Sequence, residues 1–186
     1  MTKKILITGG AGFIGLHLAN KLLDEGYEVH LIDNFSRAVD DIDLASTIER
    51  SNCTFSSIDL LDIDSVMRLD NTYNSIFHLG AIIGVSHVLN RPYEVLYDNI
   101  RMLANIIKLA HSQTNLSRLC FASTSEVYAG TLENFEMLIP TPESTPLSIT
   151  KLSHPRTSYM LSKIYGEALC QQSGLPYTIF RPHNIW

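Results

Sequence analysis

A tyrosine and a lysine in the C-terminal part of the chain have a spacing that suits proton transfer. Tyr159 and Lys163 are four residues apart in a segment with helical periodicity, so they share one face of the predicted helix. A cation beside a phenol lowers the phenol's pKa from its usual value of about 10. Such a phenol acts as an acid or a base near neutral pH. The pair is also frequent on ordinary surface helices, so its function depends on its neighbours.

Hydroxyl-bearing residues follow the fifth predicted strand. After that strand come Ser123, Thr124 and Ser125, and then Glu126. Ligands in parallel α/β folds bind at this edge of the sheet, where a hydroxyl would orient a substrate oxygen toward Tyr159. The alternative is a polar loop in which serine and threonine cap backbone amides. Glu126 is open to two interpretations, an active-site acid or a loop carboxylate.

A glycine-rich turn near the N-terminus has the spacing of a phosphate-binding loop. Gly9, Gly12 and Gly15 separate an apolar run from an amphipathic segment that predicts a helix. The first two glycines let the backbone approach a pyrophosphate, and the third lets the helix pack closely on the strand. Amides at the helix N-terminus, where Phe13 and Ile14 stand, then point at the anion. A ligand-free tight turn needs one glycine rather than three, which favours the phosphate interpretation.

An acidic residue stands where the ribose of a dinucleotide would lie. Asp33 ends the second predicted strand, and Asn34 adds another hydrogen-bonding group. A carboxylate there accepts the ribose hydroxyls and repels a 2′-phosphate, so we expect NAD rather than NADP. Arg37 is near enough in sequence to reach a 2′-phosphate, which leaves NADP as an alternative. Without a ligand, Asp33 would be a turn residue at a strand end.

Two further strand ends are expected to face the same crevice. Asp59 follows the third strand and would accept a hydrogen bond from the adenine amino group. It would alternatively cap the next helix, for which Asp62 is the better candidate. Leu79, Gly80 and Ala81 follow the fourth strand, and the small residues among them leave room for a dinucleotide.

Apolar strands alternate with helical patterns along the chain, which predicts an α/β fold. The alternation favours a doubly wound parallel sheet of the Rossmann type, with strand order 3-2-1-4-5-6. Residues 130–155 form too long a stretch for a plain connector, and we expect an irregular lid or binding segment there. The predicted strands are 3–8, 28–32, 54–57, 75–79, 118–122 and 177–180, and the main predicted helices are 13–25, 63–69, 92–111 and 157–173.

The composition argues against several classes of function. The 186 residues are 45% hydrophobic, which suits one domain with a real core. The net charge is -5 and there is no basic run, so nucleic acid is not an expected partner. The three cysteines are widely spaced and the seven histidines lack metal-ligand spacing, which predicts a reduced, cytoplasmic protein without a metal site. No signal peptide or membrane-spanning run is apparent, so we expect no membrane partner.

Together the motifs resemble the extended short-chain dehydrogenase/reductase family of NAD-dependent nucleotide-sugar epimerases, dehydratases and decarboxylases. The matching motifs extend over essentially the whole chain. They are Gly9-x-x-Gly12-x-x-Gly15, Asp33-Asn34, Asp59-Leu60, His78-Leu79-Gly80-Ala81, Asn99, Ser123-Thr124-Ser125-Glu126-Val127-Tyr128, Tyr159-x-x-x-Lys163-x-x-Gly166-Glu167 and Arg181-Pro182-x-Asn184.

The resemblance implies specific roles for these residues. Tyr159 would take a proton from the sugar 4-hydroxyl while a hydride passes to NAD, with Lys163 on the ribose and Thr124 as the catalytic hydroxyl. Glu126 joins this catalytic set, and the substrate contacts implied are Ser125 and Asn184. The cofactor contacts implied are Gly9, Gly12, Phe13, Ile14, Gly15, Asp33, Asn34, Asp59, Leu60, Leu79, Gly80, Ala81, Asn99, Tyr159 and Lys163.

The fate of the 4-keto sugar separates the members of the family. We expect a 4-epimerase acting on a nucleotide-sugar, most simply a UDP-sugar. The run Thr124-Ser125-Glu126 looks like that of UDP-glucuronate decarboxylases, which makes a decarboxylase the nearest alternative. Family dehydratases usually carry Thr-Asp-Glu there, so a dehydratase is a weaker alternative. A non-catalytic NAD-binding sensor is the alternative from another class, although such proteins commonly lack the Tyr/Lys pair.

The resemblance also bears on assembly and on length. Family members commonly dimerise through two helices, here 92–111 and 157–173, which would form a four-helix bundle with those of a second copy. The motif that begins at Arg181 normally continues into a C-terminal region that grips the nucleotide-sugar. We therefore expect residues 1–186 to be an NAD-binding Rossmann domain that lacks the substrate-binding region and, alone, turns nothing over.

Overall fold

In the part of the chain that the structure describes, six parallel strands form a single central sheet. They are β1 (Lys4–Thr8), β2 (Glu28–Asp33), β3 (Cys53–Ser57), β4 (Ser75–His78), β5 (Arg118–Ala122) and β6 (Tyr177–Phe180). The computed structural model describes residues 2–38, 41–183 and 185. It orders the strands β3-β2-β1-β4-β5-β6, with each neighbouring pair parallel. This confirms the predicted doubly wound Rossmann order. Strands β2 and β3 extend the sheet on one side of β1, and β4 to β6 extend it on the other side.

Within the described residues, seven α-helices connect or follow the strands. They are α1 (Phe13–Asp24), α2 (Ile42–Ile48), α3 (Ile63–Met67), α4 (Val85–Asn90), α5 (Pro92–His111), α6 (Ala129–Asn134) and α7 (Thr157–Gln172). A 3₁₀ helix, Ser125–Tyr128, precedes α6. The sequence did not predict α4, and the expectation of purely irregular structure over 130–155 is wrong at its start. The two helices missed, α4 and α6, are only six residues long, which is too short for hydrophobic periodicity to be visible.

Alternation along β1 builds a separate core on each face of the sheet. Leu6 packs with Ile76, Leu103 and Ile106, between the sheet and the α5 side. Its two neighbours in β1, Ile5 and Ile7, point the other way and pack beneath α1 and α2. Successive side chains of a strand point to opposite faces, so a strand covered on both sides is apolar throughout.

The long helix α5 supports α7, which carries the Tyr/Lys pair. α5 begins with Pro92, whose missing amide hydrogen costs nothing in a first turn, and its buried face packs along α7. α7 in turn lies very close to β5. A Cβ atom added at Gly166 would lie 2.5 Å from the Phe121 ring, so only glycine allows this approach.

The composition also led to predictions about the cysteines, membrane-spanning helices and metal sites. Cys53 and Cys120 are unpaired core residues, which confirms their prediction, and Cys170 is buried as well. Within the described part of the chain, no helix combines the length and the apolar character needed to cross a membrane. The same residues contain no group of three or more His, Cys, Asp or Glu side chains that could hold a metal ion.

Candidate functional site

A crevice of about 1430 Å³ opens along the carboxyl ends of the strands. Small-molecule pockets usually measure roughly 300–1,000 Å³, so this crevice has room for an extended ligand. It brings together twelve of the predicted cofactor contacts. These are Gly9, Gly12, Phe13, Ile14, Gly15, Asp33, Asn34, Asp59, Leu60, Leu79, Gly80 and Ala81.

The three glycines of the first loop meet different physical requirements. A Cβ atom added at Gly15 would lie 2.3 Å from the Gly9 carbonyl oxygen, so Gly15 is required by the packing of α1 on its own loop. Gly9 has φ +68° and lies against the backbone of Gly80. A Cβ atom at Gly12 would meet only the Gly9 carbonyl oxygen, at 3.3 Å. Gly12 is therefore the glycine that keeps the crevice itself clear.

The N-terminus of α1 offers free hydrogen-bond donors to the crevice. Gly12 is the N-cap residue, and it has no side chain that could bond to the first-turn amides. The amides of Phe13 and Ile14 have no acceptor within the helix, because the first four N–H groups of any helix lack one. Together with the helix dipole, these donors form a site suited to an anion such as a pyrophosphate.

Asp33 ties the glycine loop to the loop after β2 and also lines the crevice. Its Oδ2 accepts a hydrogen bond from the Ala11 amide at 3.2 Å, and its Oδ1 accepts one from the Phe35 amide at 2.9 Å. The second bond closes a turn in which Phe35 has φ +55°. Each carboxylate oxygen keeps a further acceptor site. Asn34 accepts from the Ser36 amide at 3.0 Å and thereby tightens the same turn.

The acids after β3 divide into two roles. Asp59 lines the crevice, and its Oδ1 accepts from the Leu61 amide at 2.9 Å. Asp62 caps α3 by accepting from the amides of Asp64 and Ser65. The prediction that Asp62 rather than Asp59 is the helix cap is confirmed.

A buried polar pair that the sequence did not single out lies at the ends of β1 and β4. Thr8 Oγ1 and His78 Nδ1 are hydrogen-bonded at 2.8 Å, and the Gly80 amide donates to the same hydroxyl at 3.1 Å. Burial, assisted by the charge of Lys163, lowers the pKa of His78 to about 3, so the ring is neutral. Through the bond to Thr8, the pair holds the backbone of Gly80, which lines the crevice. Each residue of the pair is the last of its strand and follows apolar residues, and the two are partners in the strand register.

Lys163 is buried beside the ring of Tyr159. The ammonium nitrogen lies 5.6 Å from the centroid of the Tyr159 ring and donates to the Ala122 carbonyl oxygen at 2.7 Å. The residue is 5% exposed, and its burial lowers the pKa of the ammonium to about 8. The two side chains therefore share one face of α7, as their spacing predicts.

The predicted lowering of the tyrosine pKa is wrong for this structure. Burial raises the pKa of Tyr159 to about 12, and the negative charge of Glu126 adds to the effect. The Thr124 hydroxyl beside the phenol and the charge of Arg37 act in the opposite direction but are weaker. Desolvation wins because the Lys163 ammonium is bonded to the Ala122 carbonyl oxygen rather than to the phenol.

Thr124 both caps a helix and lies near the phenol of Tyr159. Its Oγ1 accepts from the Glu126 amide at 3.2 Å and caps the 3₁₀ helix, so the capping interpretation holds. The side chain is nevertheless close enough to Tyr159 to lower its pKa. Glu126 is exposed, and the Ser125 amide donates to the Pro182 carbonyl oxygen at 2.9 Å.

Six predicted site residues are not part of the crevice lining: Asn99, Thr124, Ser125, Glu126, Tyr159 and Lys163. Lys163 adjoins the crevice through Ala122, a lining residue whose carbonyl oxygen accepts its hydrogen bond. The buried Asn99 amide accepts from the Ile82 amide at 2.7 Å and donates to the Ile82 carbonyl oxygen at 3.1 Å. Its NH₂ group also lies 3.4 Å from the Ser162 hydroxyl. Asn99 thus holds Ile82, which lines the crevice, instead of lining it directly. Asn184, predicted to contact substrate, lies outside the described residues.

A buried ion pair behind Thr124 also escaped the sequence analysis as a site feature. Glu167 accepts hydrogen bonds from Arg181 at 2.9 and 2.7 Å, and from the Ser123 hydroxyl at 2.6 Å. One pattern in the sequence could have revealed this pair. Glu167 stands one helical turn after Lys163, on the same face of α7 as Tyr159.

Known proteins resemble the chain over nearly all of its length. Residues 5–186 match the model of the NAD dependent epimerase/dehydratase family. The chain belongs to this family. Membership confirms the resemblance to the extended short-chain dehydrogenase/reductases, and NAD is the cofactor of the family.

Relatives of this family member carry two activities. UDP-N-acetyl-alpha-D-glucosaminuronate decarboxylase from Bacillus cytotoxicus is 36% identical over 189 residues, covering 100% of this chain and 56% of that protein. UDP-glucuronate 4-epimerase from Thermodesulfobacterium geofontis is 32% identical over 169 residues, covering 87% and 52%. The crystal structure of the Bordetella bronchiseptica enzyme WbmH in complex with NAD+ has a TM-score of 0.80 at 26% identity, covering 98% and 56%. The chain thus spans about half the length of these proteins.

The residues of this family member fit a dinucleotide. The face of Gly12 is clear, the first amides of α1 are free for a pyrophosphate, and Asp33 retains acceptor capacity beside the crevice. Small residues at Gly80 and Ala81 line the opposite part of the crevice. Nothing among these described residues obstructs an extended ligand that runs from β2 across to β4.

Proposed function

We propose that this chain is the NAD-binding part of an enzyme that converts a UDP-sugar through a 4-keto intermediate, with 4-epimerisation as the leading reaction. The observation that carries the proposal is the arrangement around Tyr159. The phenol has the Thr124 hydroxyl beside it and the buried Lys163 ammonium 5.6 Å from its ring, at the crevice end of β5. Proton transfer and cofactor binding thus meet at one edge of the sheet.

The NAD-binding domain, in this proposal, extends over residues 1–186. The amides of Phe13 and Ile14 bind the pyrophosphate, and Asp33 accepts the adenosine ribose hydroxyls. Lys163 reaches the nicotinamide ribose, for which its ammonium must leave the Ala122 carbonyl oxygen. The remaining contacts follow the crevice lining, from Asp59 to Ala81.

NAD supplies a hydride acceptor that can return the hydride to either face of a ketone. The protein residues supply the proton chemistry. Tyr159 takes the proton of the sugar 4-hydroxyl and returns it, while Thr124 donates or accepts a hydrogen bond at the same oxygen. A pKa of about 12 leaves the phenol protonated at neutral pH. A positive charge arriving in the crevice, or a movement of Lys163 toward the phenol, lowers that pKa toward the working range.

A decarboxylase is the second candidate, supported by the relative that is 36% identical and by the run Thr124-Ser125-Glu126. A uronic acid oxidised at C4 is a β-keto acid, which loses carbon dioxide readily. An epimerase must therefore return the hydride before the carboxyl group leaves. The charge of Glu126 acts on Tyr159, and Ser125 precedes Glu126 in the chain. We assign these two residues to the choice between the two outcomes. A dehydratase remains the weaker alternative.

The test is an assay of the protein that contains this chain against UDP-glucose, UDP-N-acetylglucosamine and UDP-glucuronate. Interconversion of 4-epimers without gas supports the epimerase and excludes the decarboxylase. Release of carbon dioxide from UDP-glucuronate supports the decarboxylase and excludes the epimerase. If none of the three is converted while NAD binds, the non-catalytic sensor is the better account. In this proposal residues 1–186 bind NAD and do not include the region that grips the nucleotide-sugar. Calorimetry of residues 1–186 should therefore show NAD binding without UDP binding.

We also propose that two copies associate through α5 and α7. Three tyrosines on these helices are strongly exposed for aromatic residues: Tyr93 at 69%, Tyr97 at 49% and Tyr165 at 53%. Burying such rings against a second copy removes apolar surface from water. Light scattering should give the mass of a dimer for the chain and of a monomer for Tyr97→Asp. A monomeric parent chain would refute this assembly.

A further inference from the structure

The Arg181 guanidinium connects three other segments of the chain to the end of β6. Its Nε and Nη2 donate to the two carboxylate oxygens of Glu167 on α7, at 2.9 and 2.7 Å. Its Nη1 donates to the Tyr128 hydroxyl in the 3₁₀ helix and to the Glu143 carbonyl oxygen, the latter at 3.0 Å. Glu143 belongs to the stretch after α6 and lines the crevice. One side chain thus fixes the relative positions of these segments.

The partner carboxylate is nearly enclosed. The Glu167 side chain is 3% exposed, and the Arg181 side chain is 19% exposed. The Ser123 hydroxyl donates to Glu167 Oε1 at 2.6 Å, so the carboxylate binds the end of β5 as well as the end of β6. A bidentate arginine–carboxylate pair defines orientation as well as distance, since both groups are planar.

The pair continues a ladder of contacts between α7 and β5. Lys163 bonds to the carbonyl oxygen of Ala122, and Glu167, one turn later, bonds to the side chain of Ser123. Thr124 is the next residue of the chain. Its other neighbour, Ser125, donates its amide to the residue after Arg181. Thr124 is therefore held between two anchored residues, and both anchors lead to Arg181.

We propose that Arg181 and Glu167 are positioning residues that set the placement of Thr124 relative to Tyr159 and hold the Glu143 segment at the crevice. This inference rests on the proposed function, in which Thr124 and Tyr159 act on the same sugar oxygen. The Glu167 carboxylate is nearly enclosed and the Arg181 guanidinium is bonded to Glu167, Tyr128 and Glu143, so we assign neither side chain to that oxygen. They act through Ser123, whose hydroxyl Glu167 accepts, and through the strand end that follows it.

The substitution Arg181→Lys tests the geometry while keeping the charge. Lysine cannot form the planar two-bond contact, so Ser123 to Glu126 should loosen without leaving Glu167 unpaired. Amide hydrogen exchange of the NAD-bound chain should become about tenfold faster at Ser125 and Glu126, and stay within about twofold at Leu119 in β5. Arg118→Lys is the matched control, because the one side-chain hydrogen bond of Arg118 among the described residues is to the Tyr177 carbonyl oxygen, at the other end of the same strands.

Unchanged exchange at Ser125 and Glu126 would overturn the inference, and so would an equal increase along all of β5, which indicates global destabilisation. If Arg181→Lys fails to fold, the double variant Glu167→Gln/Arg181→Met removes both charges together and serves the same comparison. This arm needs no substrate. Its result therefore stands even if the proposed function fails.

Turnover supplies the second arm. With a UDP-sugar that the parent protein converts, Arg181→Lys should lower kcat about tenfold or more, because small displacements of reacting groups are costly. The KM for the sugar and the Kd for NAD should stay within about threefold, since the residues that contact both ligands are retained. A loss confined to KM would contradict positioning, whereas no conversion by the parent protein would contradict only the proposed function.

Discussion

The Lys163 ammonium donates a hydrogen bond to the Ala122 carbonyl oxygen at 2.7 Å, in a setting where the lysine is 5% exposed. This relationship joins α7 to the end of β5 and keeps a positive charge next to the crevice. It also makes the lysine sensitive to pH, because burial lowers the pKa of the ammonium to about 8. The charge is thus retained near neutrality at a cost in stability.

Replacing this lysine should remove a pH-dependent part of the protein's stability. The folded pKa is below the unfolded value, so between these two values the unfolded chain binds more protons and the parent protein gains stability as pH rises. Relative to Lys163→Met, the parent should gain about 3 kcal/mol in free energy of unfolding from pH 7 to pH 10. Urea unfolding of both proteins measures this difference. A difference that does not change with pH would show that Lys163 is not a buried ammonium.

Removing the hydroxyl of Tyr159 should abolish proton transfer and spare cofactor binding. Tyr159→Phe keeps the ring and its packing, so the Kd for NAD should change by less than about threefold while turnover falls about 10²–10⁴-fold. Calorimetry and the UDP-sugar assay give the two quantities. Tyr177→Phe, at the opposite end of β6, is the control. Turnover that survives Tyr159→Phe would remove the tyrosine from the mechanism.

The pKa of Tyr159 should fall when NAD binds. Burial and Glu126 raise it to about 12 in this structure, and the positive nicotinamide ring favours the phenolate. Chain labelled with ¹³C at the tyrosine ζ carbon allows the titration to be followed by NMR, with Tyr159→Phe assigning the signal. Equal pKa values with and without NAD would mean that another group is the base.

Asp33 should control the choice between NAD and NADP. Asp33→Asn removes the charge that repels a 2′-phosphate, while the side-chain carbonyl oxygen can still accept from a backbone amide. Affinity for NADP relative to NAD should rise about tenfold, and Arg37 in the crevice should assist. Asp59→Asn, which changes a crevice charge further along, is the control. The measurement is the ratio of the Kd for NADP to the Kd for NAD in each protein. An unchanged ratio in Asp33→Asn contradicts the assignment of Asp33 to the adenosine ribose.

The glycine loop offers a matched pair of substitutions. Gly15→Ala places a methyl group 2.3 Å from the Gly9 carbonyl oxygen and should lower the free energy of unfolding by about 1–3 kcal/mol or more. Gly12→Ala meets only one atom, at 3.3 Å, so it should fold almost normally and lose NAD affinity because the methyl enters the crevice. Thermal unfolding and NAD titration of both variants test this. Equal effects of the two on stability would refute the division of roles.

Local patterns were sufficient for the central sheet and for the placement of its ligand-binding edge. β5 and β6 were predicted at their observed bounds, and the order of all six strands followed from right-handed crossovers. Patterns failed for α4 and α6, because six residues are fewer than two helical turns and show no clear period. The helices that matter for the site are long enough for their periodicity to be read.

The amino-acid sequence by itself determined that the glycine loop and the ends of β2, β3 and β4 line the crevice, since strand ends and a glycine loop have fixed places in a parallel sheet. Only the tertiary structure decided what each group does there. Asp33 accepts from one amide of its own loop and one of the glycine loop, Lys163 bonds to Ala122, and Tyr159 has a raised pKa instead of a lowered one. Partners and desolvation depend on residues that are distant in the chain and close in space. Spacing along one helix cannot reveal them.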